Sequence, residues 1–285
     1  MFRYVAYILV TVIAVVLAGA VAVVLGKGVV DCLSGRPVVY VTALDGVGSV
    51  GGHPPRIRAM FEGPAGPRPL EAFWAVVRFP GGWSRWAYVN RRGLCRPNGP
   101  GGLPPGPHRF EVGLPESYPR LDVVAHGTAW IWPADTVVVW IDSGAVVPGD
   151  AAGTGRTEAV DVVIDALKTL AGTCRPVYLV ADDARPYAAI RRRLKEWGAP
   201  AGPVFWVIPD RTGGRLQGLQ GVWPVVRGAV IASDDLAEAA RRLDVPVERV
   251  PPPDGAGSTQ SHAQAWRRTL DRLTSLPSTN PSHGR

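Results

Sequence analysis

The sequence predicts an α/β protein carried on an N-terminal transmembrane helix, with a small β-sandwich followed by a doubly wound parallel-sheet domain. Three observations carry that reading: an uncharged apolar run at the N-terminus, a stretch of period-2 alternation broken by glycine and proline, and a later stretch where apolar β-branched runs alternate with helical patterns. They divide the 285 residues into an anchor over 1–30, a β-sandwich over 37–134, an α/β domain over 135–250 and a flexible tail over 251–285.

The anchor comes first. No charged side chain occurs between Tyr4 and Gly26. At about 1.5 Å per residue the run YVAYILVTVIAVVLAGAVAVVLG is long enough to cross a hydrocarbon core of roughly 30 Å. A cleaved secretory signal is the competing reading, because Ala18-Gly19-Ala20 and Ala20-Val21-Ala22 both offer small-residue cleavage patterns. The apolar run continues past both and exceeds the usual signal core of about 7 to 15 residues. The lipid bilayer is therefore an expected partner, through a single pass. Arg3 and the terminal amine on one side face Lys27 and Arg36 on the other, and the three-residue stretch before the helix favours an extracytoplasmic body.

The net charge of +7 does not point to nucleic acid. Only Lys27, Lys168 and Lys195 are lysine and every other basic residue is arginine, the signature of biased base composition rather than of a designed phosphate-binding face. Cys32, Cys95 and Cys174 form no C-x-x-C pair and no zinc spacing; in an oxidising compartment Cys32 and Cys95 are the pair able to join.

From Pro37 to Ile141 the chain reads as short strands. Ile57, Ala59 and Phe61 alternate with Arg56, Arg58, Met60 and Glu62; Phe73, Ala75, Val77 and Phe79 form a second set, and Phe110, Val112 and Leu114 a third. Breaks such as GGHPP, GPAGPRP and RPNGPGGLPPGP separate them, which suggests a sandwich. Trp74, Trp83, Trp86, Trp130 and Trp132 are expected to serve core and edge packing more than ligand stacking. Exposed aromatics on this part would suit a protein partner.

The pattern changes near Thr136. TVVVWI (Thr136 to Ile141) is a run suited to a strand buried on both faces. A helix with Val160, Val163, Ile164, Leu167 and Leu170 at helical spacing follows. Next come a strand at 176–180, a helix from Arg185 to Trp197 closed by Gly198, and strands at 204–208 and 229–232. A helix from Asp234 to Leu243, a strand at 247–250 and one further helical pattern around His262 to Leu273 complete the series.

In an open parallel sheet ligands bind at the carboxyl ends of the strands. Three of those ends carry acids: Asp142, the pair Asp182 and Asp183, and the pair Asp234 and Asp235. Converging, they would hold a hard cation such as Mg²⁺ through oxygen ligands, with Asp142, Asp234 and Asp235 as the set. The competing reading makes each acid a cap of the helix that follows, which suits the two pairs better than Asp142, because Gly144, Pro148 and Gly149 intervene before any helix.

The stretch RPVYLVADDARPYAAIRRRLKEWGAPAGPVFWVIPD, from Arg175 to Asp210, resembles the central block of the lipin-type and actin-patch-type phosphatidate phosphatases of the haloacid dehalogenase (HAD) superfamily. The resemblance implies a HAD-like domain in which a D-x-D motif ends the first strand, its first Asp attacking phosphorus and its second acting as acid and base. This chain reads Trp140-Ile141-Asp142-Ser143-Gly144, so neither register keeps both acids. The phosphate-holding Ser or Thr falls on Val180 or Ala181; Arg215 is the candidate for the basic residue, and Asp234 or Asp235 for the Mg²⁺ ligands. A working phosphatase, acting on phosphatidate or another phosphomonoester, would have to gather Asp142, Asp182, Asp183, Asp234 and Asp235 around the metal, with Arg215 on the phosphoryl group. Nucleophile and acid/base act as a unit, so losing one removes most of the rate. The expectation is thus a membrane-anchored, degenerate, non-catalytic binding or assembly module.

Overall fold

A computed structural model describes residues 40–62, 73–90, 93–115, 124–146, 158–181, 185–207, 212–250 and 259–275. The Tyr4 to Gly26 run, Cys32, Asp182 and Asp183 lie outside them. Among the described residues no helix is long and apolar enough to cross a membrane.

Strands β1 (Tyr40–Leu44), β3 (Arg58–Glu62) and β6 (Leu94–Cys95) make a small antiparallel sheet in the order β1-β3-β6. A second sheet joins β2 (Gly46–Ser49), β4 (Phe73–Arg78), β5 (Ser84–Val89), β7 (Gly106–Gly113) and β8 (Val124–Trp132) in the order β2-β8-β7-β4-β5. It is mixed, because β2 runs parallel to β8 while the other pairs are antiparallel. Asp45 alone connects β1 to β2, so one nearly continuous stretch passes from the first sheet into the second. Ile57, Ala59 and Phe61 from one side meet Val77, Val89, Phe110 and Val112 from the other. Phe110 pairs across the ladder with Gly127, where a Cβ would stand 2.2 Å from the phenyl Cζ. The ring therefore lies over the bare backbone, a contact only glycine permits.

The rest of the chain alternates strand and helix. Strands β9 (Val138–Asp142), β10 (Arg175–Val180), β11 (Val204–Trp206), β12 (Val226–Ile231) and β13 (Val247–Arg249) form a wholly parallel sheet ordered β11-β10-β9-β12-β13. The chain winds outward from β9 through β10 to β11, then crosses back to β12 on the other side of β9. Right-handed crossovers in opposite directions put helices on opposite faces. Thus α1 (Glu158–Ala171) and α2 (Arg185–Glu196) cover one face, and α3 (Thr212–Gln220) and α4 (Asp234–Arg241) the other. Gly198 just beyond α2 takes a φ of +73°, the left-handed conformation that suits glycine after a helix.

The helix expected around His262 is α5 (Thr259–Ser275). It packs against α1, burying Trp266 and Leu273. The Trp266 indole N–H and the His262 Nε2–H both donate to the Ala145 carbonyl at 3.0 Å.

The fold class read from the sequence is corrected here. In place of a separate sandwich followed by a doubly wound domain, the described residues form mixed α/β sheets with a curled half-barrel, and no helix among them is long and apolar enough to cross a membrane. Period-2 alternation identifies which residues face inward but not the direction in which strands pair, and β2 joins β8 in parallel. The half-barrel also shares its core with the parallel sheet. Leu44 and Leu94 pack into the α1 and α2 side, and Val47 and Trp132 into the α3 and α4 side. Trp132 stacks on Trp223 with ring centroids 4.5 Å apart.

Asp45 makes the joint. It is 5 % exposed. Its Oδ1 accepts from the Thr128 N–H at 3.2 Å, and its Oδ2 accepts from the Trp130 indole at 3.3 Å and the Val204 N–H at 3.0 Å. The Arg191 guanidinium stands 3.4 Å away. The Asp45 N–H donates to the Tyr187 hydroxyl at 2.7 Å, and that hydroxyl donates to the Val204 carbonyl. Burial pushes the carboxyl up from its ordinary range, while Arg191 and then the Val204, Trp130 and Thr128 donors pull it down. With both oxygens accepting, the donor set is that of a carboxylate.

Asp45→Ala is expected to cost roughly 3–5 kcal/mol, because it leaves the Thr128, Trp130 and Val204 N–H groups without their acceptor and removes the partner of Arg191. Urea denaturation measures this, and a loss under about 1 kcal/mol contradicts the role of a joint. A second expectation concerns acid. His262 is buried, and among the described residues its Nδ1 has no partner. Burial lowers its pKa, opposed by the Ala145 carbonyl bond. A histidine with a depressed native pKa gives stability that is full above its ordinary value of 6.5 and is lost as pH falls below it. The urea midpoint should fall between pH 7.5 and 5.5 and fall less in His262→Gln.

Candidate functional site

The crevice of an open parallel sheet lies where the strand order reverses. Here that is between β9 and β12, and the residues that end those strands decide what the crevice can do. Asp142, the last residue of β9, is buried. Its Oδ1 accepts from the Gly144 N–H at 2.9 Å, which caps the 3₁₀ turn Ser143–Ala145. Its Oδ2 accepts from Ala232 N–H at 3.0 Å and Ser233 N–H at 2.8 Å, the backbone that leaves β12. One carboxylate thereby stitches the two strand ends across the switch point. Backbone donors bond both oxygens.

The other acids do not converge on it. Asp234 and Asp235 sit in the first turn of α4, where the helix dipole favours negative charge, and Ser233 caps that helix. The Asp234 side chain is 95 % exposed and pairs with Arg249 at 2.6 Å. Asp182 lies outside the described residues. Among the described residues no group of three or more His, Cys, Asp or Glu is placed to hold a metal ion. Of the set Asp142, Asp234 and Asp235, the first accepts from three backbone N–H groups and the second pairs with an arginine.

Arg215 goes elsewhere. It lies on α3, half-buried, and lines a cleft of about 260 Å³ between that helix and the edge of the half-barrel. Arg56, Arg58, His53 and Phe205 line the same cleft. The Arg58 guanidinium carbon sits 5.0 Å above the Phe205 ring centroid. Burial first, then the like charges of Arg215, Arg96 and Arg56, push Arg58 down to about 9, so it remains cationic at neutral pH.

Sequence reasoning placed Arg56 and Arg58 on the solvated face of a strand. They do face away from the half-barrel core, but that face meets α3. The available signal was two arginines at i and i+2 with no acid between them, which alternation alone reads as surface. Helix α3 itself went unread, because Gly213, Gly214 and Gly218 depress helix propensity and leave no apolar period. Of the tryptophans, Trp132 is buried, Trp83 packs on Phe79 and Trp130 holds Asp45, whereas Trp74 and Trp86 are exposed. Cys95 and Cys174 are buried free thiols.

No protein-family model matches the chain, and no curated protein matches it. Among solved structures, a carbohydrate acetylesterase from Xanthomonas citri is similar at 10% identity and a TM-score of 0.27, covering 83% of this chain and 75% of that one. A likeness of that degree carries no argument about fold or function.

Asp142→Asn retains shape but offers one acceptor oxygen to donors on two sides, so its amide must face a backbone N–H. The expected loss is about 2–3 kcal/mol in urea unfolding, since bonds to a charged group contribute more than neutral ones. A stability within about 0.5 kcal/mol of the wild type would remove the structural role assigned to this carboxylate.

Proposed function

We propose that this protein is a membrane-tethered binding or assembly module without phosphoryl-transfer activity. The observation that carries the reading is Asp142. Asp142, which the phosphatidate phosphatase resemblance makes either the nucleophile or the second acid, accepts from Gly144, Ala232 and Ser233 through its two oxygens. A nucleophile needs a lone pair directed at the substrate and an acid/base partner in reach. In the first register the acid/base position is Gly144, which has no proton to give, and in the second the nucleophile position is Trp140, which has no carboxylate. The parallel sheet and half-barrel then act as a rigid body that presents surfaces. The uncharged Tyr4 to Gly26 run supplies the tether to the bilayer, with the body on the extracytoplasmic side.

Hydrolysis of an aryl phosphate with Mg²⁺ by the purified protein, wild type beside Asp142→Asn, tests the proposal. Background rates in both are expected. A wild-type rate above background that disappears in Asp142→Asn sinks it.

A further inference from the structure

The outer face of the half-barrel's larger sheet is sorted into rows. Ala75, Val77, Ala87, Val89 and Val112 point into the core, so the residues that alternate with them face outward. Trp74 pairs with Tyr88 across the β4–β5 ladder, and their rings meet edge-on with centroids 5.6 Å apart. The next row runs over four strands as Trp86, Val76, Gly113 and Val124. Neither row holds a charged residue. The third row, Ser84, Arg78, Glu111 and His126, is polar throughout, with His126 and Glu111 3.6 Å apart. Trp74, Trp86, Tyr88 and Val124 are 42–58 % exposed; of the large apolar side chains exposed among the described residues, Val50 alone lies elsewhere. Single exposed apolar side chains are ordinary, but a contiguous group with no charge among them marks a surface that meets something.

The two uncharged rows lie at the end where the described chain begins. Tyr40 pairs with Glu62, the last residue of β3, and the neighbouring Phe61 N–H donates to the Gly93 carbonyl at 2.9 Å. Gly93 in turn donates to the carbonyl of Asn90, the residue that follows β5. The entry to β1 and the Trp74–Tyr88 row are therefore at one end of the half-barrel, and the β4–β5 turn that carries Trp83 is at the other. Thirteen residues separate Gly26 from Tyr40, and at full extension they span at most about 45 Å. Whatever their path, the tether holds this end of the body towards the bilayer, where a contact too weak to form from solution becomes intramolecular.

We infer that this end of the half-barrel rests on the bilayer, with Trp74, Trp86, Tyr88 and Val124 seated at the boundary between lipid headgroups and acyl chains. The inference deepens the membrane-tethered reading and rests on it. Tryptophan and tyrosine collect at that level because the ring is apolar while its N–H or O–H stays with water and headgroups. The change from uncharged to charged rows runs across the strands, as the surface of a bilayer met at this end would. The rows bring no charge of their own, so a zwitterionic lipid suffices. A second copy of the chain could bury the same rings, but nothing would then tie them to the end at which the tether arrives.

The run from Tyr4 to Gly26 holds no tryptophan, so tryptophan emission reports on the body alone. The test is the emission of the full-length protein in single-copy discs of phosphatidylcholine, with and without bromine, a contact quencher, in the acyl chains. Co-elution with the discs is expected for every variant. Bromine should remove up to about one fifth of the wild-type emission, the share of Trp74 and Trp86 among ten tryptophans. Val124→Glu, which keeps both reporters, should at least halve the quenching. Trp74→Phe combined with Trp86→Phe should abolish it and Trp83→Phe, at the opposite end, should retain it, which keeps the question decidable if Val124→Glu fails to fold. Co-elution without quenching in the wild type, or quenching that neither Val124→Glu nor the paired variant reduces, overturns the inference and leaves the tether standing. A dimer in detergent would in that case assign the face to a second copy. A protein that does not co-elute removes the tether reading, and this inference with it.

Discussion

One buried carboxylate holds the two halves of the molecule in register. Asp45 is the single residue between β1 and β2, and its oxygens and N–H reach β8, α2 and β11. A charge taken out of water is tolerable only when its whole environment answers it, and here two backbone N–H groups, an indole and a guanidinium do so. The geometry allows few alternatives. If β1 slipped by one residue, Asp45 would exchange places with a neighbour and every inward side chain of that strand would turn outward. The joint thus fixes the register of the half-barrel as well as its attachment to the parallel sheet.

A second carboxylate does comparable work at the switch point. Open parallel sheets leave a crevice where the winding reverses, because adjacent loops run apart. Asp142 joins the ends of β9 and β12 across it through two backbone hydrogen bonds, from Ala232 and Ser233. Ala145, a few residues on, accepts from both His262 and Trp266, so the same turn also anchors α5. The bonds of Asp142 and Ala145 thus lie beside the place where the topology would put a ligand. The arginine cleft lies to the side, over edge strand β11, where Phe205 meets α3.

Much of the fold was legible in the sequence because burial leaves a period. The runs at 136–141 and 176–180 are apolar throughout, and both become strands buried on both faces. The inward residues of β3, β4 and β7 were likewise identified by alternation. The direction of pairing was not, since an alternating strand looks the same whether its neighbour runs with it or against it; hence the sandwich expectation and its correction. Asp45 escaped notice because one acid between two short strands reads as a turn, and its partners at Thr128 and Val204 are 83 and 159 residues away. The acids at the strand ends were visible as residues, but whether they converge or cap depends on backbone geometry that no spacing encodes. Arg58 was visible and placed on water, because a sequence cannot show that a second element covers a polar face.

The separation across the joint also sets an order of events. Val204 leaves the ribosome long after Asp45, and at about 5–20 residues per second the interval is on the order of ten seconds. Throughout it, β1, β2 and β8 have no partner on the far side of Asp45, and the carboxylate stays hydrated because the donor that would replace water has not been made. Contacts of such long range close late, after loop-closure entropy has been met. The half-barrel therefore emerges first and locks last, and its unpaired edges depend in the meantime on the proline- and glycine-rich breaks between its strands to resist pairing with other chains.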